Sequence, residues 1–390
     1  MAHETTQIPT TIDADTHLVE PLTLYRDFIG AKRHDLALYF DEDERGWPWL
    51  MHKGRKIHFL DDHLPGRVDL LGERRRRHDA GEPAVALAEK PADHSELAAR
   101  LALLQEHGSD AAILFPNFGL LWEDCLRDDI PSLCANLEAY NTWLLACMPE
   151  IEDRIFPVAQ ASLRDISWFE RELDRCARGS IKLVMLGAHP IGDKSLAHPD
   201  FDRVWARLQD LDMGLCFHVS QMQRPLDPAW YALDPEPLNK VVENVFLYIA
   251  PAAAVTSLII HGKLEQFPRL RIGIVELSSR WVPEFLLHLD GGFDFYAQQH
   301  GHALTELSLR PSEYFKRQVR VGSFAIEGPA KLIDQAGCNP FMWGSDYPHA
   351  EGMVKPSWAD YEAMQARPLT DEERAALRGG NAAFLLGLSA

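Results

Sequence analysis

Carboxylates and imidazoles stand in this chain at places where a buried strand would give way to a loop. The apolar run Pro340-Phe341-Met342-Trp343 leads into Gly344-Ser345-Asp346-Tyr347-Pro348-His349, so Asp346 is a candidate metal ligand. His349, in the same turn, is a candidate acid, substrate-binding group or donor to a ligand. More than three hundred residues earlier, Asp13-Ala14-Asp15-Thr16-His17 ends another apolar strand. Asp15 and His17 are one residue apart and therefore point to the same side of it. His218 closes the run Met213 to Val219, and Glu276 follows Arg271 to Val275. These donor types serve Zn, Mn and Fe(II). Singly, such a histidine is more often a hydrogen-bonded core residue, and an Asp before Tyr-Pro often just makes a turn. Their joint position at the same end of separate strands is what argues for a metal site.

The elements that would position these groups alternate. Strands are predicted at Thr11 to Asp15, Ala111 to Pro116, Ile155 to Ala161, Ile181 to Leu186, Met213 to Val219, Arg271 to Val275, Gln318 to Val321 and up to Asp346. Helical spacing of apolar residues falls between them, with Gly108 and Gly179 as stops and a capping box at Thr370 to Glu373 before a last helix to Leu386. One long helical stretch is predicted from Leu238 to Leu264. Eight strand-helix units call for a parallel sheet closed into a (β/α)8 TIM barrel. An open doubly wound sheet is less attractive, because no G-x-G-x-x-G follows the first strand. A barrel gathers the strand tips at one mouth, so residues remote in sequence can share an ion.

The length of 390 residues fits one barrel domain, 1–390, with residues 20–93 as an insertion after the first strand. That insertion is irregular in pattern and holds Trp47, Trp49, Pro65 and the run Arg74 to Arg77. A long loop of this kind serves as a lid, a binding loop or a subunit contact. The net charge of −19 repels phosphate backbones and anionic membranes. The arginine run stands alone without interleaved aromatics, so no nucleic-acid partner is expected. The six cysteines are scattered without CxxC spacing, the N-terminus shows no basic-then-apolar pattern, and no apolar run reaches eighteen residues. A soluble cytoplasmic protein with reduced thiols and no membrane partner is expected.

The motifs also carry a family resemblance. Asp13-Ala14-Asp15-Thr16-His17-Leu18-Val19-Glu20-Pro21, Phe217-His218, the stretch Gly262 to Arg271 leading into Glu276, Trp281-Val282-Pro283, Gly344 to His349 and Gly379-Gly380-Asn381-Ala382-Ala383 resemble the amidohydrolase-related proteins of the amidohydrolase superfamily. That branch includes the aminocarboxymuconate-semialdehyde and resorcylate-type decarboxylases. The resemblance implies a divalent transition metal, Zn, Mn or Fe, held by Asp15, His17, His218 and Asp346, with a second ion possible. It also shows departures. Many relatives have His-x-His in strand one, where this chain has Asp-x-His. Relatives that decarboxylate aromatic acids carry a His at the end of strand six, where this chain has Glu276, and commonly an Arg where it has His288. Catalytic roles therefore fall to Glu276 as a general base or second-metal ligand, to His288 and to His349. His288 lies four residues after Glu284, and helix geometry could aim either at the mouth. Glu20 is a further ligand candidate, while His261, before Gly262 in a helical stretch, is read as structural.

Three functions follow. The first is a metal-dependent lyase (decarboxylase) or hydrolase acting on a small organic acid. The second is a dinuclear Fe/Mn oxygenase, which the carboxylates Asp15, Glu276 and Glu20 would suit. The third is a non-catalytic barrel subunit supporting an active relative. Substrate recognition is assigned to the insertion and to adjacent subunits of a homo-oligomer or of a hetero-oligomer with a related chain.

Overall fold

The computed structural model describes residues 9–60, 77–84, 91–151, 153–220, 225–233, 236–300, 307–349, 352–353 and 355–388. Arg74, Arg75 and Arg76 lie outside the described residues. β1 (Ile12–Leu18) is followed by a small antiparallel sheet of β2 (Leu38–Glu42), β3 (Pro48–His52) and β4 (Arg55–Phe59). Seven further strands are β5 (Ala111–Pro116), β6 (Ile155–Gln160), β7 (Leu183–Leu186), β8 (Gly214–His218), β9 (Ile272–Val275), β10 (Val319–Ser323) and β11 (Phe341–Trp343). β1 and β5 to β11 form one eight-stranded sheet in sequence order, with every recorded pairing parallel. The sheet closes past the end of β11, where the Asp346 N–H donates to the Asp15 carbonyl at 2.8 Å and the His17 N–H to the Tyr347 carbonyl at 2.8 Å. This is the expected (β/α)8 barrel.

Alternation along the strands explains both cores. Ile12, Ile113, Val158, Met185, Cys216 and Met342 point into the barrel and form one buried cluster. Their neighbours one residue away, such as Leu114, Val184, Phe217 and Trp343, point outward and pack under the helices. The helix Asn381–Leu386 plugs the end opposite the strand tips, with Leu385 and Leu386 in the inner cluster. Gly214 is required there, because a Cβ would sit 2.6 Å from the Leu385 carbonyl oxygen.

Several boundaries differ from the sequence pattern. β1 runs on to Leu18, and β11 stops at Trp343, so Asp346 lies beyond the regular strand. The long helix predicted over Leu238 to Leu264 is three helices, Glu236–Val245, Ile249–Ile260 and Lys263–Gln266. Within Leu238–Ile260 a stretch has a mean hydropathy of 1.6, apolar enough by composition to cross a membrane. It is broken between the first two helices, and the second buries Val255, Leu258 and Ile259 completely.

The described residues of the insertion are more ordered than its irregular pattern predicts. Trp47 and Leu50 are buried in the β2–β4 region, and the Leu38 N–H donates to Asn136 Oδ1 at 2.8 Å. Arg33 grips Glu138 through both Nη atoms, at 3.1 and 2.9 Å. Asn136 and Glu138 belong to the helix Ile130–Cys147, so the small sheet is stitched to the barrel's outer layer.

Candidate metal centre

Four strands deliver the predicted donors to one end of the barrel. Asp15 and His17 lie on β1, 3% and 0% exposed, where pairing with β5 shifts register between Asp13 and Thr16. His218 is the last residue of β8 and fully buried. Glu276 follows β9 directly, and Asp346 lies three residues beyond β11. Both acids have positive φ, +53° and +55°. Non-glycine residues seldom adopt that conformation, and such strain concentrates at functional sites. Gly344 makes the approach possible, since a Cβ there would meet Asp15 Cβ at 2.7 Å.

The donor atoms converge. His17 Nε2 lies 3.4 Å from Asp15 Oδ1, 3.5 Å from Glu276 Oε2 and 3.3 Å from Asp346 Oδ1. His218 Nε2 lies 3.4 Å from Asp15 Oδ1 and 3.3 Å from Glu276 Oε2. His349 Nδ1 is 2.8 Å from Asp346 Oδ1, and its ring lies 4.1 Å from that of His17. The donors of Asp15, His17, His218 and Glu276 all fall within 4.8 Å of one another, as do those of His17, Glu276, Asp346 and His349. Ligands about 2.0–2.2 Å from a common ion would stand roughly 3–4.4 Å apart.

The far nitrogens fix which atoms face inward. His17 Nδ1 donates to the Pro116 carbonyl at 2.7 Å, and His218 Nδ1 to the Val219 carbonyl at 2.8 Å. A carbonyl only accepts, so in the neutral rings each Nε2 turns a lone pair toward the carboxylates. Lone pairs facing carboxylates at these distances repel unless a cation stands among them. Among the described residues, His17 Nε2, Glu276 Oε2 and Asp346 Oδ2 are buried atoms without a hydrogen-bond partner. Buried polar atoms are otherwise nearly always satisfied. The donor set therefore fits a metal ion.

The titration behaviour reports the same shortage of positive charge. Burial works against a proton on His17, but Asp15, Asp346 and Glu276 outweigh it and raise its pKa well above the usual histidine value. Burial, reinforced by the charge of Asp346, raises Glu276 well above the usual carboxylate range. Burial also opposes ionisation of Asp15, yet the neighbouring His17 and His218 imidazoles prevail and lower it. Behind the cluster, burial pushes Asp13 up to about 7 against its hydrogen bonds from Ser345 and Asp15.

Other candidates fall elsewhere. His288 is not brought to the cluster; its side chain is 76% exposed and pairs with Glu284 at 2.9 Å. Val282, Leu286 and Leu289 take the buried side of its helix, which turns position 288 to solvent. Glu20 is not brought to the cluster either. Its buried carboxylate accepts the N–H groups of Asn117 (3.0 Å), Phe118 (2.8 Å) and Gly119 (3.1 Å). His261 is exposed at the end of the helix Ile249–Ile260, away from the strand tips.

Two residues escaped the sequence reading. Asn117, whose Oδ1 lies 3.0 Å from His349 Nε2, directly follows β5, so it obeys the strand-tip rule that selected the others. Arg100 braces the closing seam, donating to the His17 carbonyl at 2.8 Å with its guanidinium 5.0 Å over the Tyr347 ring; nothing in its helical pattern signals that. Surface depressions of about 400 Å³, beside Phe324, Ile326 and Met353, and about 690 Å³, beside Arg164, Ile191 and Lys194, contain none of the cluster's side chains in their walls.

Known proteins share this architecture. The chain is 25% identical to an amidohydrolase from Mycobacterium avium subsp. paratuberculosis K-10, with a TM-score of 0.80 over 97% of this chain and 99% of that one. It is 18% identical to 5-carboxyvanillate decarboxylase from Sphingomonas paucimobilis, with a TM-score of 0.62 over 97% and 99%. It is 17% identical to 5-carboxyvanillate decarboxylase from Novosphingobium aromaticivorans, complexed with manganese and 4-hydroxy-3-methoxy-5-nitrobenzoic acid, with a TM-score of 0.64 over 100% and 98%. No curated protein matches the chain by sequence. The amidohydrolase family matches residues 12–388, nearly the whole barrel with its strand-tip donors, and the chain belongs to that family.

Proposed function

We propose that the protein is a metal-dependent enzyme acting on a small organic acid, most simply as a decarboxylase, with hydrolysis as the related alternative. The observation that carries this reading is the clustering of Asp15, His17, His218 and Glu276, and of His17, Glu276, Asp346 and His349, in two overlapping donor sets in which His17 Nε2, Glu276 Oε2 and Asp346 Oδ2 have no hydrogen-bond partner among the described residues. Asp15, His17, His218 and Asp346 would hold the ion, of Mn, Zn or Fe type. When bound, it supplies a Lewis acid that polarises a substrate oxygen or activates water. Glu276 faces the same space and transfers the proton. In decarboxylation it gives a proton to the carbon that loses its carboxylate; in hydrolysis it takes one from water. The manganese and nitrobenzoic acid held by the Novosphingobium enzyme support both the ion type and the substrate class.

Elemental analysis, with CO2 release from a panel of hydroxybenzoic acids, tests the reading. Asp346→Ala is expected to lose both metal and turnover. A variant that kept its metal and full activity would sink the proposal.

A two-ion centre is the second reading. The donors fall into two overlapping sets that share His17 and Glu276, and a carboxylate can bridge two ions. Two Fe or Mn equivalents per chain together with oxygen consumption would favour the oxygenase; one equivalent and no oxygen uptake would exclude it.

A further inference from the structure

His17 and His218 each have their outer nitrogen tied to a backbone carbonyl, which frees the inner nitrogen for the ion. His349 repeats this arrangement with its two ring nitrogens exchanged and a side-chain acceptor in place of the carbonyl. Its outer nitrogen, Nε2, faces a side-chain acceptor, Asn117 Oδ1, at 3.0 Å. We propose that Asn117 is the positioning residue that makes His349 a further ligand of the ion, by holding its proton on Nε2 and turning the Nδ1 lone pair into the donor cluster. The inference rests on the metal-dependent reading above.

The placement of Asn117 is itself secured. Its loop is pinned by the buried Glu20 carboxylate, which accepts three consecutive N–H groups from Asn117 to Gly119. Gln160 Nε2 adds a hydrogen bond to the Gly119 carbonyl at 2.9 Å. On the other side, the His349 N–H donates to the Asp346 carbonyl at 2.8 Å, which folds the turn so that Nδ1 stands 2.8 Å from Asp346 Oδ1. With the proton on Nε2, two electron-rich atoms meet there, and a cation resolves the contact. A ring nitrogen of His349 lies within 4.8 Å of the donors of His17, Glu276 and Asp346. The segments from β1, β5 and β11 thus form a chain running Glu20, Asn117, His349, Asp346. In metal sites, outer partners of ligating histidines fix tautomer and orientation, and losing one typically costs about 10–100-fold in affinity.

If the Asn117 amide were reversed, its Nδ2 would donate to Nε2. His349 would then keep its proton on Nδ1 and donate to Asp346, touching no ion. The two arrangements respond oppositely to substitution, because aspartate can only accept. Titration of the metal-free full-length chain with Mn2+ and with Zn2+, followed by calorimetry, distinguishes them. Asn117→Leu is expected to weaken binding about tenfold or more. Asn117→Asp is expected to retain or improve it, with metal-free melting temperatures showing that both variants fold. Should the leucine variant fail to fold, Asn117→Ala is read the same way. Wild-type affinity in the leucine or alanine variant, or equal weakening in the aspartate variant, overturns the role of Asn117 alone. A wild-type chain that binds neither ion overturns the metal-dependent reading as well.

Discussion

His17 Nε2 lies 3.3 Å from Asp346 Oδ1 across the seam that closes the barrel. The backbone of the same two segments completes the sheet, His17 N–H to Tyr347 carbonyl and Asp346 N–H to Asp15 carbonyl. The donors of the proposed centre and the closure of the fold are therefore one contact, and whatever loosens the seam should loosen the ion.

Metal removal should therefore destabilise the protein. An ion at a hundred times its dissociation constant adds about 2.7 kcal/mol to the folded state. Chelator treatment is expected to lower the melting temperature, and Mn2+ or Zn2+ to restore it. Identical melting curves with and without ion would remove the seam from the binding site.

The metal-free protein should lose stability as pH rises. His17 and Glu276 both have raised pKa values in the fold, so each holds its proton more tightly folded than unfolded. The contribution of each is complete below its unfolded value and disappears as pH climbs through the folded one. Asp13, raised to about 7, acts in the same direction. Asp15 is lowered and has the opposite sign, but its losses fall in acid, below the ordinary carboxylate range. Between about pH 5 and pH 8, metal-free melting temperatures should fall while metal affinity rises, because binding displaces protons. Asp13→Asn should flatten part of the slope. Metal-free stability that increased over this range would contradict the charge arrangement.

Gly344→Ala tests the close approach of the closing segment to β1. The added Cβ meets Asp15 Cβ at 2.7 Å, with Asp15 N at 3.5 Å. Forced overpacking of a core costs about 1–3 kcal/mol. A lower melting temperature and weaker metal binding are expected together, since the clash displaces a proposed ligand. Unchanged affinity in a destabilised variant would separate the seam from the site.

His288→Ala should leave metal content, affinity and turnover at wild-type levels. Among the described residues its ion pair is with Glu284, and both side chains are more than two-thirds exposed. Such a pair contributes at most about 1 kcal/mol. A variant with markedly reduced turnover would return His288 to the chemistry and point to a neighbouring chain that covers it.

The alternation of strand and helix patterns was enough to place β1 and β5 to β11, because burial on both faces of a parallel barrel writes continuous apolar runs into the sequence. The same logic marked Asp15, His17, His218, Glu276 and Asp346, since a polar group at the C-terminal tip of such a run has one mouth to face. It marked His349 through its turn. The small β2–β4 sheet was illegible, because its strands draw their burial from the helix Ile130–Cys147, far along the chain. The placement of His288 was not legible, because a four-residue spacing shows that two side chains share a helix face without showing which face the barrel takes.

Residue types of the donors, and the strands that lead to them, were thus determined by the sequence alone. Only the tertiary structure decided which atoms meet. The positive φ angles that turn Glu276 and Asp346, the carbonyls that orient His17 and His218, and the pairing of Asn117 with His349 across 232 positions arise from closing the barrel, which sets the geometry that local preference leaves open.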